Sequence, residues 1–207
     1  MNKQLIWLIV WGITFGYMEA AVVVYLREIY YPDGFAFPLK LISGAIMWTE
    51  IGREAATLVI MAATVMLAYE RMQSRMAAFA VLFGVWDIFY YVFLRLILDW
   101  PKSLATWDIL FLIPAPWVGP VWAPVLVSVG LIGAGSVVLS RNADGRYPRF
   151  GKRFVLAETA AGMMIVSSFL ISGRSIIGTG MPEAFVWSLF MGGFVLGAGV
   201  FFYSVKR

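Results

Sequence analysis

A stretch of the chain that is otherwise apolar carries four polar residues at intervals of four positions, namely Asp87, Tyr91, Arg95 and Asp99. On a helix, residues four positions apart lie on one slowly drifting face. Near the centre of a bilayer an ionisable side chain costs about 2.5–3.5 kcal/mol, so it faces the interior of a helix bundle and finds polar partners. If this stretch crosses a membrane, the four residues predict a functional site inside the bundle.

The deepest of these charges is Asp87, which lies at the middle of the predicted helix. A low-dielectric surrounding favours the uncharged form of a carboxyl group. An unpaired aspartate in that position can therefore carry a proton or act as a general acid. Arg95 and Asp99 lie nearer the predicted surface, where a simple interfacial ion pair explains them equally well.

A second group of charges lies in the predicted span before this one. Glu50, Arg53 and Glu54 are three and four positions apart, which puts them on one helical face. Arg53 can pair with Glu50, but Glu50 and Glu54 repel each other. A second cation is then needed, and Arg27 or Arg95 could supply it. The alternative interpretation is a charged turn at the membrane interface.

The first apolar stretch carries Glu19 in its second half. Beside it, Gly12, Gly16 and Ala20 repeat every four positions. Small residues at that spacing let two membrane helices approach closely, so we expect Glu19 to face a neighbouring helix rather than lipid. The alternative role is a salt bridge that only fixes how the helices align.

The composition indicates that most of the chain lies in lipid rather than in water. Of the 207 residues, 61% are hydrophobic and 14% are charged, and the mean hydropathy is +0.83. A soluble domain of this size could not cover so much apolar surface with so few charges. We therefore predict an all-α integral membrane protein whose first partner is the lipid bilayer.

The residue types that are missing argue against several kinds of chemistry. The sequence has no Cys and no His, which argues against disulfides, zinc, copper and imidazole-bound haem. The lysines all lie outside the predicted spans, which argues against retinal held as a Schiff base. No basic run is interleaved with aromatic residues, which argues against a nucleic-acid partner. We predict no cofactor and no metal.

Six apolar stretches are long enough to cross a bilayer, which takes about 20 helical residues each. They cover about 4–26, 45–69, 76–98, 119–140, 154–172 and 184–204. The apolar run of the first continues past Glu19, which favours a retained span over a cleaved signal peptide. We interpret 1–207 as a single membrane domain, with the polar site in spans 1–3 and a scaffold in spans 4–6. The glycine-rich spans 4 and 6 could contact a second copy or a larger membrane complex.

The positions of the basic residues predict the orientation. Ten of the 16 lie at Lys3, in the connections at 71–75 and 141–153, and at the C-terminal end. The positive-inside rule makes this side cytoplasmic. We therefore predict a multi-pass protein of the inner membrane with both termini in the cytoplasm.

The connection at 99–118 differs from the others because it is rich in tryptophan and proline and contains the candidate site residue Asp108. Its apolar part is too short to span, and Pro114 and Pro116 interrupt it. This pattern predicts a re-entrant or interfacial segment. The proline-rich part could be a lid over the polar site or a rigid cap at the headgroup level.

Three classes of function fit these observations. The first, which we favour, is binding or transport of a small solute or ion, with proton coupling as an option. The second is a metal-free acid/base enzyme acting on a lipid or amphipathic substrate, with Asp87, Glu50, Glu54 or Asp108 as acid and base. The third is an accessory or assembly subunit of a larger membrane complex. A closed cavity with every charge paired would favour the third class. A lateral opening that holds lipid would favour the second, and an aqueous funnel that reaches Asp87 would favour the first.

Overall fold

The computed structural model describes residues 3–40 and 43–206, apart from the side chains of residues 177 and 178. Its elements are α1 (Lys3–Tyr30), α2 (Gly44–Ala68), α3 (Met72–Leu98), β1 (Trp107–Phe111), β2 (Trp117–Pro120), α4 (Trp122–Ala143), α5 (Lys152–Gly173), α6 (Ile176–Thr179) and α7 (Trp187–Val205). Six of the helices are long and apolar enough to cross a membrane. The six apolar stretches predicted as spans form long helices in the described residues, and the architecture is compatible with a multi-pass membrane protein.

The helices end where local chemistry or tertiary contacts end them. The Ser43 side chain caps α2 by accepting the backbone N–H of Ile46. Asp99 ends α3 in the left-handed conformation, with φ 52°. Helix α1 continues four residues beyond the predicted boundary at 26, because Arg27 is buried against the connection between α3 and α4 rather than released into water.

Helix α3 is at the centre of the bundle, between α1 and α4. It approaches α1 closely because Gly12 and Gly16 lie against Val85 and Trp86. A Cβ atom on Gly16 would lie 3.0 Å from the backbone oxygen of Trp86. Ala20, the third residue of this small-residue stripe, is fully buried. The predicted close contact between α1 and a neighbouring helix is therefore confirmed.

Glycines also set the approach of other helix pairs. At Gly84 of α3, a Cβ atom would lie 2.6 Å from the backbone oxygen of Ser128 on α4, and Gly193 of α7 lies against Ala161 of α5. Gly135 of α4 faces α3 in the same way. These glycines pack within the chain, so they are not free for a second copy. The predicted contact of the glycine-rich helices with a partner stays a prediction.

The connection at 99–118 folds largely as an antiparallel β-hairpin. Trp107 is opposite Pro120, and the pairing is irregular between Ile109 and Phe111. Val118 is fully buried, and β2 packs against α5. Paired strands satisfy much of their own backbone hydrogen bonding, which protein segments near lipid require. We call the end of the bundle that carries this segment the hairpin end; its depth in the bilayer stays a prediction.

An apolar layer fills the bundle between its two ends. It contains the fully buried side chains of Met61, Val81 and Leu82, together with Leu8 and Val65. These residues come from α1, α2 and α3, so the layer joins the three helices that were predicted to carry the polar site.

We predict that the close approach of α3 and α4 depends on Gly84. Replacing Gly84 by Ala forces a methyl group against the α4 backbone, and such overpacking typically costs about 1–3 kcal/mol. Gly52 of α2 is the matched control, because a Cβ atom there meets no neighbour within 4 Å. Gly52→Ala should be neutral or stabilising by about 0.5–1 kcal/mol. Melting temperatures in detergent measure both variants, and equal stability of the two would contradict this packing.

Candidate functional site

A cavity of about 610 Å³ lies at the hairpin end of the bundle. Its walls come from the second half of α1, the first half of α2, the second half of α3 and strand β1. Seven of the nine predicted site residues line it: Glu19, Glu50, Arg53, Glu54, Asp87, Tyr91 and Asp108. This volume is in the range of small-molecule sites, about 300–1,000 Å³. The fold thus brings most of the predicted polar residues to one space.

The guanidinium group of Arg53 joins α1 to α2. It forms a hydrogen-bonded ion pair with the Glu19 carboxylate. It also donates to Oε2 of Glu50 from Nε at 3.0 Å and from Nη2 at 2.8 Å. The Thr57 hydroxyl donates to Oε1 of Glu19 at 2.6 Å. Both carboxylates are buried, so the cation offsets two negative charges that water does not solvate.

A second buried ion pair ties the hairpin to the helices. Arg27 Nη2 donates to Asp108 Oδ1 at 3.1 Å, and the Tyr91 hydroxyl donates to Asp108 Oδ2 at 3.2 Å. The guanidinium carbon lies 3.6 Å from the Trp100 ring centre and 4.5 Å from that of Phe35, a cation–π arrangement. Burial raises the pKa of the Asp108 carboxyl, and the charge of Arg27 opposes that rise.

Two further carboxylates in the cavity have hydrogen bonds but no cation. The backbone N–H of Leu112 donates to Glu54 Oε2 at 2.8 Å, and the Ser128 hydroxyl donates to Asp87 Oδ2 at 2.8 Å. Glu54 is 8% exposed and Asp87 is 7% exposed. Neither forms a salt bridge with any residue in 3–40 or 43–206. The cavity therefore holds two buried acidic groups that form no ion pair in the described ranges, although the charge of Arg53 still acts on Glu54 from a distance.

Aromatic rings line the cavity beside these carboxylates. The Trp86 ring lies 6.5 Å from the Tyr90 ring and 6.2 Å from the Phe111 ring, centre to centre. Tyr90 contacts Tyr91 edge-on at 5.0 Å. All four residues line the cavity. The site therefore combines an apolar aromatic wall with carboxylate groups.

Arg95 and Asp99 lie outside the cavity lining. Their side chains are 49% and 65% exposed, and they pair with each other at 2.7 Å between Nη1 and Oδ1. Asp99 also pairs with Lys102, and these partners hold the pKa of Asp99 below its usual value. The four polar residues at intervals of four do not stay on one face, because twelve helical residues rotate a side chain by about 120° around the axis. Of the four, only Asp87 and Tyr91 reach the cavity.

The structure adds residues to the site that the sequence did not single out for it. The sequence left Arg27 as a possible partner of the acidic residues of α2. In the structure it pairs with Asp108 instead. Ser128, the partner of Asp87, belongs to α4, which was predicted as scaffold. A serine in an apolar span must find a polar partner, and that was the signal available in the sequence. Lys40 and Tyr31 also line the cavity, from the segment before α2.

Comparison of the chain with protein families, with curated proteins and with solved structures found no match. The function of the cavity is therefore inferred from its own residues.

We predict that neutralising Arg53 strongly destabilises the protein. Arg53→Gln leaves Glu19 and Glu50 buried without a cation, and breaking a buried pair typically costs about 3–5 kcal/mol. Arg95→Gln is the matched control, because its exposed ion pair contributes only about 0–1 kcal/mol. Unfolding of both variants in detergent measures the difference. A similar loss of stability in the two would contradict the arrangement around Arg53.

Proposed function

We propose that this membrane protein binds a small solute in the hairpin-end cavity and moves it across the bilayer in exchange for a proton on Asp87. The observation that carries the proposal is the cavity itself. It has the volume of a small-molecule site, lies within a bundle of membrane-length helices and contains Asp87 in its wall. Polar groups that are buried at such a position in membrane proteins commonly mark solute and proton pathways.

A second cavity at the opposite end of the bundle supports movement through the protein. Its volume is about 530 Å³, and it is lined by residues from the start of α1, the end of α2, the start of α3 and the end of α4. The apolar layer that contains Met61, Val81 and Leu82 lies between the two ends. Transporters that alternate between two open states rock helix groups around a central site, and cavities at both ends fit that behaviour.

The proton-carrying role is assigned to Asp87 because of its contacts. Its described hydrogen-bond partner is the neutral Ser128 hydroxyl, and no described cation forms a salt bridge with it. A proton can therefore bind or leave without breaking an ion pair. Glu19, Glu50 and Asp108 differ in this respect, because each is held by an arginine.

The accessory-subunit alternative explains part of the network. Charges that only align helices should all be paired, as they are around Arg53 and between Arg27 and Asp108. Within the described residues, Glu54 and Asp87 depart from that pattern in the cavity, and Glu158 of α5 departs from it outside the cavity. Two buried carboxylates without cations have a cost in stability, and a binding role gives a reason to retain them.

The proposed setting is the inner membrane with both termini in the cytoplasm, as the basic residues predict. The chain has no native Cys, so single cysteines report orientation directly. Ala105 is an exposed residue of the outer connection, and Ala143 is the exposed last residue of α4 at the inner end of this topology. We expect an impermeant maleimide to label Ala105→Cys in intact cells and to label Ala143→Cys only after permeabilisation. The reverse pattern would overturn the orientation.

The role of Asp87 can be tested with Asp87→Asn, which keeps the size and the capacity to bond Ser128 but cannot ionise. We expect the variant to melt at the same temperature as the wild type or higher, because no charge has to be buried. A thermal-shift screen of small solutes identifies ligands of the wild type. In weakly buffered solution, those ligands should release protons from the wild type and not from Asp87→Asn.

Asp99→Asn is the matched control, since it removes an exposed carboxylate outside the cavity, and it should keep both solute binding and proton release. A stable Asp87→Asn protein with unchanged binding and proton release would refute the proton-carrying role. A strongly destabilised one would instead support a purely architectural role for Asp87.

A further inference from the structure

The charged residues of the hairpin-end cavity are not balanced. The lining contains five carboxylate side chains, Glu19, Glu50, Glu54, Asp87 and Asp108, and three basic ones, Arg27, Lys40 and Arg53. The cavity therefore has an excess of two acidic groups. A bound solute must either neutralise this excess or share the cavity with protons that do so.

The basic side chains are not directed to the two unpaired acids. Arg53 is engaged by Glu19 and Glu50, and Arg27 by Asp108. The ammonium group of Lys40 lies 5.3 Å from the centre of the Tyr31 ring, on an exposed residue, and forms no salt bridge with any acid in the described ranges. Glu54 and Asp87 consequently provide the negative charge that is open to a ligand.

One carboxylate oxygen of Asp87 is available to accept a hydrogen bond from a ligand. The Ser128 hydroxyl bonds Oδ2, whereas Oδ1 accepts a hydrogen bond from no residue that the structure describes. The residue is only 7% exposed and lines the cavity. Asp87 Oδ1 is not fully buried, so a donor on a ligand can reach it from the cavity. An ammonium group supplies both the donor and the opposite charge.

The wall beside Asp87 is suited to the organic part of such a ligand. Trp86 and Tyr90 stack on the same helix, and Tyr91 lies one helical turn from Asp87. Aromatic faces attract cations and cover apolar surface at the same time.

We propose that the solute is a small organic cation, a protonated amine with an apolar or aromatic body. Its ammonium group lies against Asp87 and Glu54, and its body lies against Trp86, Tyr90 and Tyr91. This inference rests on the proposed function, because the amine takes the place of the proton on Asp87. One positive charge enters the site as another leaves it.

A charge series on one ring system tests the inference. The probes are tryptamine, which is cationic, 3-ethylindole, which is neutral, and indole-3-acetate, which is anionic. Calorimetric titration of the full chain in a neutral detergent should show saturable binding of tryptamine. We expect the neutral probe to bind at least tenfold more weakly and the anion to show no saturable binding.

Variants locate the bound ammonium group. Asp87→Asn and Glu54→Gln should each weaken tryptamine binding at least tenfold, while Asp99→Asn should stay within twofold of the wild type. Size-exclusion profiles and melting temperatures check that each variant is folded. If Asp87→Asn does not fold, Glu54→Gln and the probe series on the wild type still decide the matter.

The results separate this inference from the proposed function. Equal binding of the neutral or anionic probe, wild-type affinity in both acid variants, or no tryptamine binding would overturn the organic-cation inference. If a neutral or anionic solute binds with proton release that depends on Asp87, the proposed function stands and only the substrate class is wrong. If no solute of any charge binds the wild type, both fail.

Discussion

The cost of placing charge in a low-dielectric environment governs the polar part of this structure. A carboxylate or guanidinium group removed from water must be paired, hydrogen-bonded or neutralised. Arg53 meets that requirement between α1 and α2, and the Arg27–Asp108 pair meets it between α1 and the hairpin. These ion pairs connect segments that are distant in the sequence and hold them around the cavity.

Close helix packing makes that arrangement possible. Gly12, Gly16 and Gly84 remove side chains where α3 meets α1 and α4, so the helix backbones approach each other. The α4 residue that Gly84 contacts is Ser128, and the hydroxyl of this same residue donates to Asp87. Small residues in this bundle therefore do more than fill space, because they bring a polar partner to the deepest acidic side chain.

In the cavity the pairing of charges is left incomplete. Five carboxylates meet three basic residues, and the two arginines among them are already engaged. The uncompensated acids, Glu54 and Asp87, adjoin an aromatic wall. An excess of buried negative charge beside aromatic faces is the chemical complement of an organic cation, and this match links the energetics of the fold to its proposed use.

Composition and periodicity by themselves determined the six apolar helices, the close contact along Gly12, Gly16 and Ala20, and most of the polar residues that line the cavity. These follow from local rules, since lipid selects apolar stretches of fixed length and small residues permit close approach. The spacing also indicated the local pairs Arg53–Glu50 and Arg95–Asp99, whereas only the tertiary structure decided which polar groups of distant segments meet. Arg27 joins Asp108 across 81 positions, Ser128 joins Asp87 across 41, and Arg95 and Asp99 turn away to the surface. The exposure of Arg95 and Asp99 follows from helix rotation, which residue spacing already indicates. The other two contacts depend on how distant segments pack against each other, and residue spacing does not encode that packing.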